Sequence, residues 1–115
     1  MNAEKMQKLK NSQDVDRALD GGRAVILKHS TQCPISRFVH REVSAFMAER
    51  PEVPVYFVDV LADPEVSTYL GKKTGVRHES PQAFVVEKGS LAWHGSHYGV
   101  DAEALGKQFD GASAR

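Results

Sequence analysis

With 115 residues, 41% of them hydrophobic and 26% charged, the chain has apolar material for one core, and a single domain is expected over residues 1–115. Fifteen basic residues cancel fifteen acidic ones, so charge gives no ground for nucleic acid or an anionic membrane as a partner. The lone cysteine excludes an internal disulfide, and no apolar run approaches the length of a membrane span.

The opening M-N-A-E-K-M-Q-K-L-K mixes polar with apolar residues and lacks the apolar block of a secretory leader. Together with one free thiol, this leads us to expect a reducing, cytoplasmic setting. Residues 6–9 alternate and predict a weak edge strand. Ser12 or Asp14 is expected to cap a helix through Asp20, with Val15, Ala18 and Leu19 inward and Gly21-Gly22 ending it. Residues 24–28, A-V-I-L-K, form a nearly unbroken apolar run rich in β-branching, which suits a strand covered on both faces. A helix follows, with Ile35, Phe38, Val39, Phe46 and Met47 as its apolar stripe, and it must stop before Pro51.

Residues 55–60, V-Y-F-V-D-V, read as a second dense strand. Asp63-Pro64 then predicts a helix start with proline at the first position, Val66, Tyr69 and Leu70 facing in, and Gly71 and Gly75 at its end. A strand over 83–87, a turn at Lys88-Gly89-Ser90 and a returning strand over 91–94 form a hairpin. Asp101 caps a last helix through Phe109, with Ala104, Leu105 and Phe109 inward. The order β-α-β-α-β-α-β-β-α predicts an α/β fold. Its centre is a mixed sheet of four to five strands, parallel in the first half and antiparallel in the hairpin, with helices on both faces.

Cys33 stands in S-T-Q-C-P-I-S, where the first buried strand gives way to a helix. The first amides of a helix lack intrahelical partners and carry the positive end of the macrodipole, so a thiolate there is favoured and the thiol pKa falls. Pro34 suits the first helical position and biases Cys33 toward an extended conformation. Ser36, one turn on, can donate a hydrogen bond to a thiolate but cannot attack a mixed disulfide. Resolution must then come from an outside thiol. The competing reading is a small apolar side chain packed at a strand end. The polar Ser-Thr-Gln approach and Pro34 weigh against it. A second element, G-V-R-H-E-S-P-Q-A-F from Gly75, sets Pro81 just before a buried strand, a candidate for a cis peptide bond.

Over nearly its whole length the chain resembles thioredoxin-fold proteins. Residues 28–37 match the strand-loop-helix with the redox motif, and residues 75–89 match a cis-proline segment, strand and Lys-x-Gly turn. More narrowly, K-H-S-T-x-C-P-I-S resembles the YtxJ-like monothiol bacilliredoxin family. That resemblance implies a monothiol thiol-disulfide oxidoreductase of the oxidative-stress response that removes bacillithiol from mixed disulfides. Cys33 would be the nucleophile, assisted by Pro34 and Ser36. It further implies that Pro81 sits beside Cys33 and that Ser80 offers backbone groups for pairing with the substrate. Thr31 belongs to the same substrate-facing loop, and Arg37 and Arg77 are candidate contacts for the malate carboxylates of bacillithiol. No bound cofactor is expected. Bacillithiol would act as cosubstrate, and bacillithiolated proteins and a low-molecular-weight thiol would be the partners.

Other readings stay open on the residues alone. One cysteine followed by x-x-Ser also fits a monothiol glutaredoxin-like iron–sulfur carrier, although Pro34 replaces a flexible residue there. A peroxidase pattern would need threonine at position 30, where Ser stands. His94 and His97 are spaced as a pair, and His29, His40 and His78 are present, but no second cysteine accompanies them as metal ligands. A thioredoxin-fold adaptor whose cysteine is merely capped by a small thiol is the non-catalytic alternative.

Overall fold

The computed structural model describes residues 6–30 and 34–113. In chain order the elements are β1 (Gln7–Lys8), α1 (Ser12–Asp20), β2 (Ala24–His29), α2 (Pro34–Glu49), β3 (Val55–Asp59) and α3 (Pro64–Thr74). The hairpin β4 (Gln82–Glu87) and β5 (Ser90–Ser96), a 3₁₀ turn at His97–Gly99 and α4 (Ala102–Ser113) complete the fold. The five strands form one sheet in the order β1-β3-β2-β4-β5. Strands β1, β3 and β2 are parallel, and β4 runs antiparallel to both β2 and β5.

Strand β2 lies at the centre, and its side chains alternate between two cores. Val25 and Leu27 join Val39, Val43, Phe46, Leu105 and Phe109 beneath α2 and α4. Ala24 and Ile26 face the other way, onto Val15, Leu19, Val66 and Leu70 from α1 and α3. Strand β4 divides likewise, with Ala83 and Val85 on one side and Phe84 and Val86 on the other. Burial on both faces accounts for the continuous apolar runs.

The local chemistry refines several expectations. Asn11, not Ser12 or Asp14, caps α1: its Oδ1 accepts from the Asp14 amide at 2.9 Å, and Asp14 Oδ2 accepts from the Lys10 amide at 2.8 Å. Two unpartnered donors are thereby satisfied reciprocally. Asp63 holds the cap position of α3 but makes no side-chain cap bond; its carboxylate lies 3.5 Å from Lys8 Nζ and ties the edge strand to the helix start. Gly75 ends α3 in the left-handed region at φ 73°, whereas Gly71 lies inside the helix, its carbonyl accepting the Gly75 amide. The hairpin turns on Lys88 (φ 49°) and Gly89 (φ 83°), the paired positive dihedrals of a type I′ turn, so Ser90 already belongs to β5. Tyr69 and Ala104 are half-buried rather than buried. The Tyr69 hydroxyl instead donates to Asp16 at 2.7 Å, joining α3 to α1.

Trp93 and Gly95 share one face of β5. A Cβ on Gly95 would lie 2.6 Å from the Trp93 ring, so the glycine is what lets the indole lie along the strand. Gly95→Ala is expected to push the chain's one tryptophan off the core. The expected signature is a red-shifted, more quenchable emission with a stability loss of about 1–3 kcal/mol in urea titration.

Candidate functional site

Strand β2 ends at His29, and α2 begins only five residues later at Pro34. The His29 carbonyl accepts from the Val60 amide at 3.0 Å, fixing the strand end against the loop after β3. Ser36, fully buried in the first turn of α2, accepts the Ser30 amide on its Oγ at 3.3 Å. The hydroxyl thus joins the two ends of the segment carrying the cysteine. Accepting this bond leaves its O–H hydrogen free to donate elsewhere. Cys33 and Thr31 lie outside the described residues. Pro34 is exposed and opens α2 as expected.

The Ser80–Pro81 peptide bond is cis. Pro81 is buried, and its carbonyl accepts the His97 amide at 3.1 Å, so the turn after β5 takes up that group. No backbone–backbone hydrogen bond among the described residues uses Ser80, and its buried Oγ has no partner. Arg37 on α2 and Arg77 in the segment leading to Pro81 are both exposed. Neither has an ion-pair partner among the described residues. The Arg77 carbonyl, however, is gripped by Gln82 Nε2 at 3.0 Å. The structure thus brings Ser30, Ser36 and the start of α2 together at the end of β2, and Ser80, Pro81 and Arg77 together at the start of β4, the strand beside it.

Sequence reasoning missed the polar groups beneath this end of the sheet. Lys28 is fully buried, and its Nζ lies 3.2 Å from His78 Nδ1 and 5.8 Å from the centre of the Phe84 ring. Burial lowers its pKa to about 8. His78 Nδ1 is also 3.3 Å from Ser67 Oγ on α3. Burial, reinforced by the Lys28 charge and opposed by Glu79, lowers the His78 pKa. A lysine ammonium can only donate, so Nδ1 is the acceptor and neutral His78 carries its proton on Nε2. On the other face, the His29 ring stands 5.1 Å from that of His40. Its pKa is lowered by burial and by His40, against Asp59. The signal was present in A-V-I-L-K: period-two alternation sets Lys28 on the same inward face as Ala24 and Ile26.

Among the described residues, no group of three or more His, Asp or Glu side chains could hold a metal ion, and no helix is long and apolar enough to cross a membrane.

Four similarities to known proteins bear on this geometry. Residues 4–105 match a family described as monothiol bacilliredoxin BrxC. A solved structure described as a candidate oxidoreductase with a thioredoxin fold is similar at 29% identity, with a TM-score of 0.87 over 94% of this chain and 97% of its own. Oxidised mitochondrial thioredoxin 3 from Saccharomyces cerevisiae is similar at 16% identity (TM-score 0.75, 96% of this chain, 99% of that one). Thioredoxin from Trypanosoma brucei brucei is similar at 13% identity (TM-score 0.77, 96% and 92%). The two thioredoxins establish the fold alone.

The buried lysine gives a testable pH signature. Its folded pKa lies below the unfolded value, so between pH 8 and 10.5 the unfolded chain binds more protons and stability rises with pH. The penalty is fully present below pH 8. Lys28→Met is therefore expected to be more stable than the parent at pH 7. That advantage should shrink as pH climbs toward 10.5, as checked by urea unfolding of both proteins across the range.

Proposed function

Because the chain belongs to the monothiol bacilliredoxin family, whose work is thiol redox chemistry on a thioredoxin fold, we propose that it removes bacillithiol from protein mixed disulfides. The observation that carries this reading is the single cysteine, with Ser36 in place of a second sulfur. A lone nucleophile can accept a small thiol but cannot expel it internally.

The reaction balances in two exchanges. The Cys33 thiolate attacks the bacillithiol sulfur of the modified protein; the new S–S bond joins Cys33 to bacillithiol, and the target leaves as a thiolate. A second bacillithiol thiolate then attacks the capped disulfide, forms oxidised bacillithiol and restores the Cys33 thiolate. Each step exchanges one disulfide for another: Cys33 is oxidised in the first and reduced in the second, and over the cycle the free bacillithiol supplies the reducing equivalents that release the target thiol. Pro34 at the start of α2 supports a lowered thiol pKa, because the first amides of a helix stabilise a thiolate. Ser36 steadies the loop and has a hydrogen left to donate toward the sulfur. Ser80, whose backbone makes no backbone–backbone hydrogen bond among the described residues, suits β-like pairing with an extended substrate beside Pro81. Thr31 is assigned to the same substrate-facing loop. Exposed Arg37 and Arg77 suit the malate carboxylates as charge-assisted donors.

Incubation with a bacillithiolated protein should add one bacillithiol to Cys33 by mass spectrometry, and substoichiometric protein with excess bacillithiol should uncap the whole substrate pool. Capping without turnover would instead identify an adaptor. Arg77→Ala is expected to raise KM for the bacillithiolated substrate by about 3- to 20-fold with little change in kcat, the loss of one partly solvated ionic hydrogen bond. Unchanged efficiency would remove Arg77 from the site.

A further inference from the structure

Lys28 and Gln82 are directly opposed across the antiparallel pair of β2 and β4. Opposed residues project to the same face, so these two polar side chains stand side by side beneath the sheet end, 0% and 1% exposed. Their neighbours on this face are Ile26 and Phe84, members of an apolar core. Both reach toward consecutive residues of one exposed segment: Gln82 Nε2 donates to the Arg77 carbonyl at 3.0 Å, and Lys28 Nζ donates to His78 Nδ1 at 3.2 Å. Ser67 on α3 meets the same ring nitrogen at 3.3 Å. Two residues on from His78, the chain enters the cis Ser80–Pro81 bond.

Stability does not explain this arrangement. Burying an ammonium costs several kcal/mol in desolvation, more than one hydrogen bond to a neutral ring returns. An apolar residue would suit the packing better. What the pair uniquely provides is a fixed position for residues 77–80 from the interior side, while Arg77, His78 and Glu79 stay exposed.

We propose that Lys28 and Gln82 are positioning residues that hold the Arg77–Ser80 segment in register for the mixed-disulfide substrate, with His78 as the ring that Lys28 grips. This rests on the reading that the segment before Pro81 faces substrate. It does not depend on which small thiol caps that substrate.

The test compares His78→Ala, His78→Asn and Gln82→Met in the full chain. Asparagine can place its amide oxygen near the position of Nδ1 and so restore the acceptor for Lys28; alanine cannot. Three readouts are taken: backbone amide NMR order parameters of residues 77–80, the rate with a peptide mixed disulfide, and alkylation by iodoacetamide, a small reagent that makes no use of the segment. His78→Ala and Gln82→Met should lower these order parameters from the rigid range of about 0.85 to below about 0.6. They should also lose about tenfold in kcat/KM toward the peptide, through KM, with alkylation of Cys33 within twofold of the parent. His78→Asn should recover most of both losses. The peptide is capped in parallel with bacillithiol and with cysteine. Equal losses on both caps with a parent that does not favour bacillithiol would sink the assignment of the thiol and leave the positioning role standing. Unchanged order parameters and peptide rates in His78→Ala and Gln82→Met would overturn the positioning role. So would a loss matched by equally slowed alkylation, or His78→Asn behaving like His78→Ala.

Discussion

The hydrogen-bonded ladders on both sides of β2 are what the rest of the molecule depends on. A parallel partner on one flank and an antiparallel partner on the other take up its backbone groups, and both faces are sealed by apolar side chains. A strand held in this way has no freedom of register, because a slip of one residue would swap Leu27 and Lys28 between opposite faces. Its C-terminal end is therefore a fixed post. The helix that follows is a second post, since Val39, Val43 and Phe46 anchor it to the core. The cysteine lies in sequence between two points that the core has already located, and the Ser30–Ser36 hydrogen bond ties those points together.

The two faces of the sheet are not chemically equivalent. The α2 and α4 side is apolar to the strand ends and is rimmed by the His29–His40 ring contact. The α1 and α3 side carries Lys28, Gln82 and Ser67 within otherwise apolar surroundings. Buried polar groups of this kind specify geometry at some cost in stability, because each must find its partner or be penalised. Gln82 shows both sides of that rule: its amide nitrogen is bonded to Arg77, while its Oε1 has no partner.

Much of the fold was legible because it rests on local signals. Unbroken apolar runs marked β2, β3 and β4, Asp63-Pro64 marked the start of α3, and Lys88-Gly89 marked the hairpin. The cap of α1 was expected at Ser12 or Asp14 but lies at Asn11, because Asn, Ser and Asp share the same capping chemistry and backbone geometry decides among them. The 3₁₀ turn at His97–Gly99 escaped because it depends on the Pro81 carbonyl, distant in sequence. In the site, Pro34, Ser36 and Pro81 were visible as motif letters. The grip of Lys28 on His78 spans fifty residues and could not be seen in either stretch alone. Half of that contact was nonetheless written in the alternation of A-V-I-L-K, which assigns a lysine to a place without water.

The bond between the Ser36 hydroxyl and the Ser30 amide also bears on how this scaffold could change. A thiol is a poor hydrogen-bond acceptor, so cysteine at position 36 would weaken the clasp on a buried amide while adding a second redox sulfur. The two effects are tied to one atom. A route from one-sulfur to two-sulfur chemistry therefore passes through a weaker bond at the strand end. The residue at position 36 thus sets both the clasp at the strand end and the number of redox sulfurs.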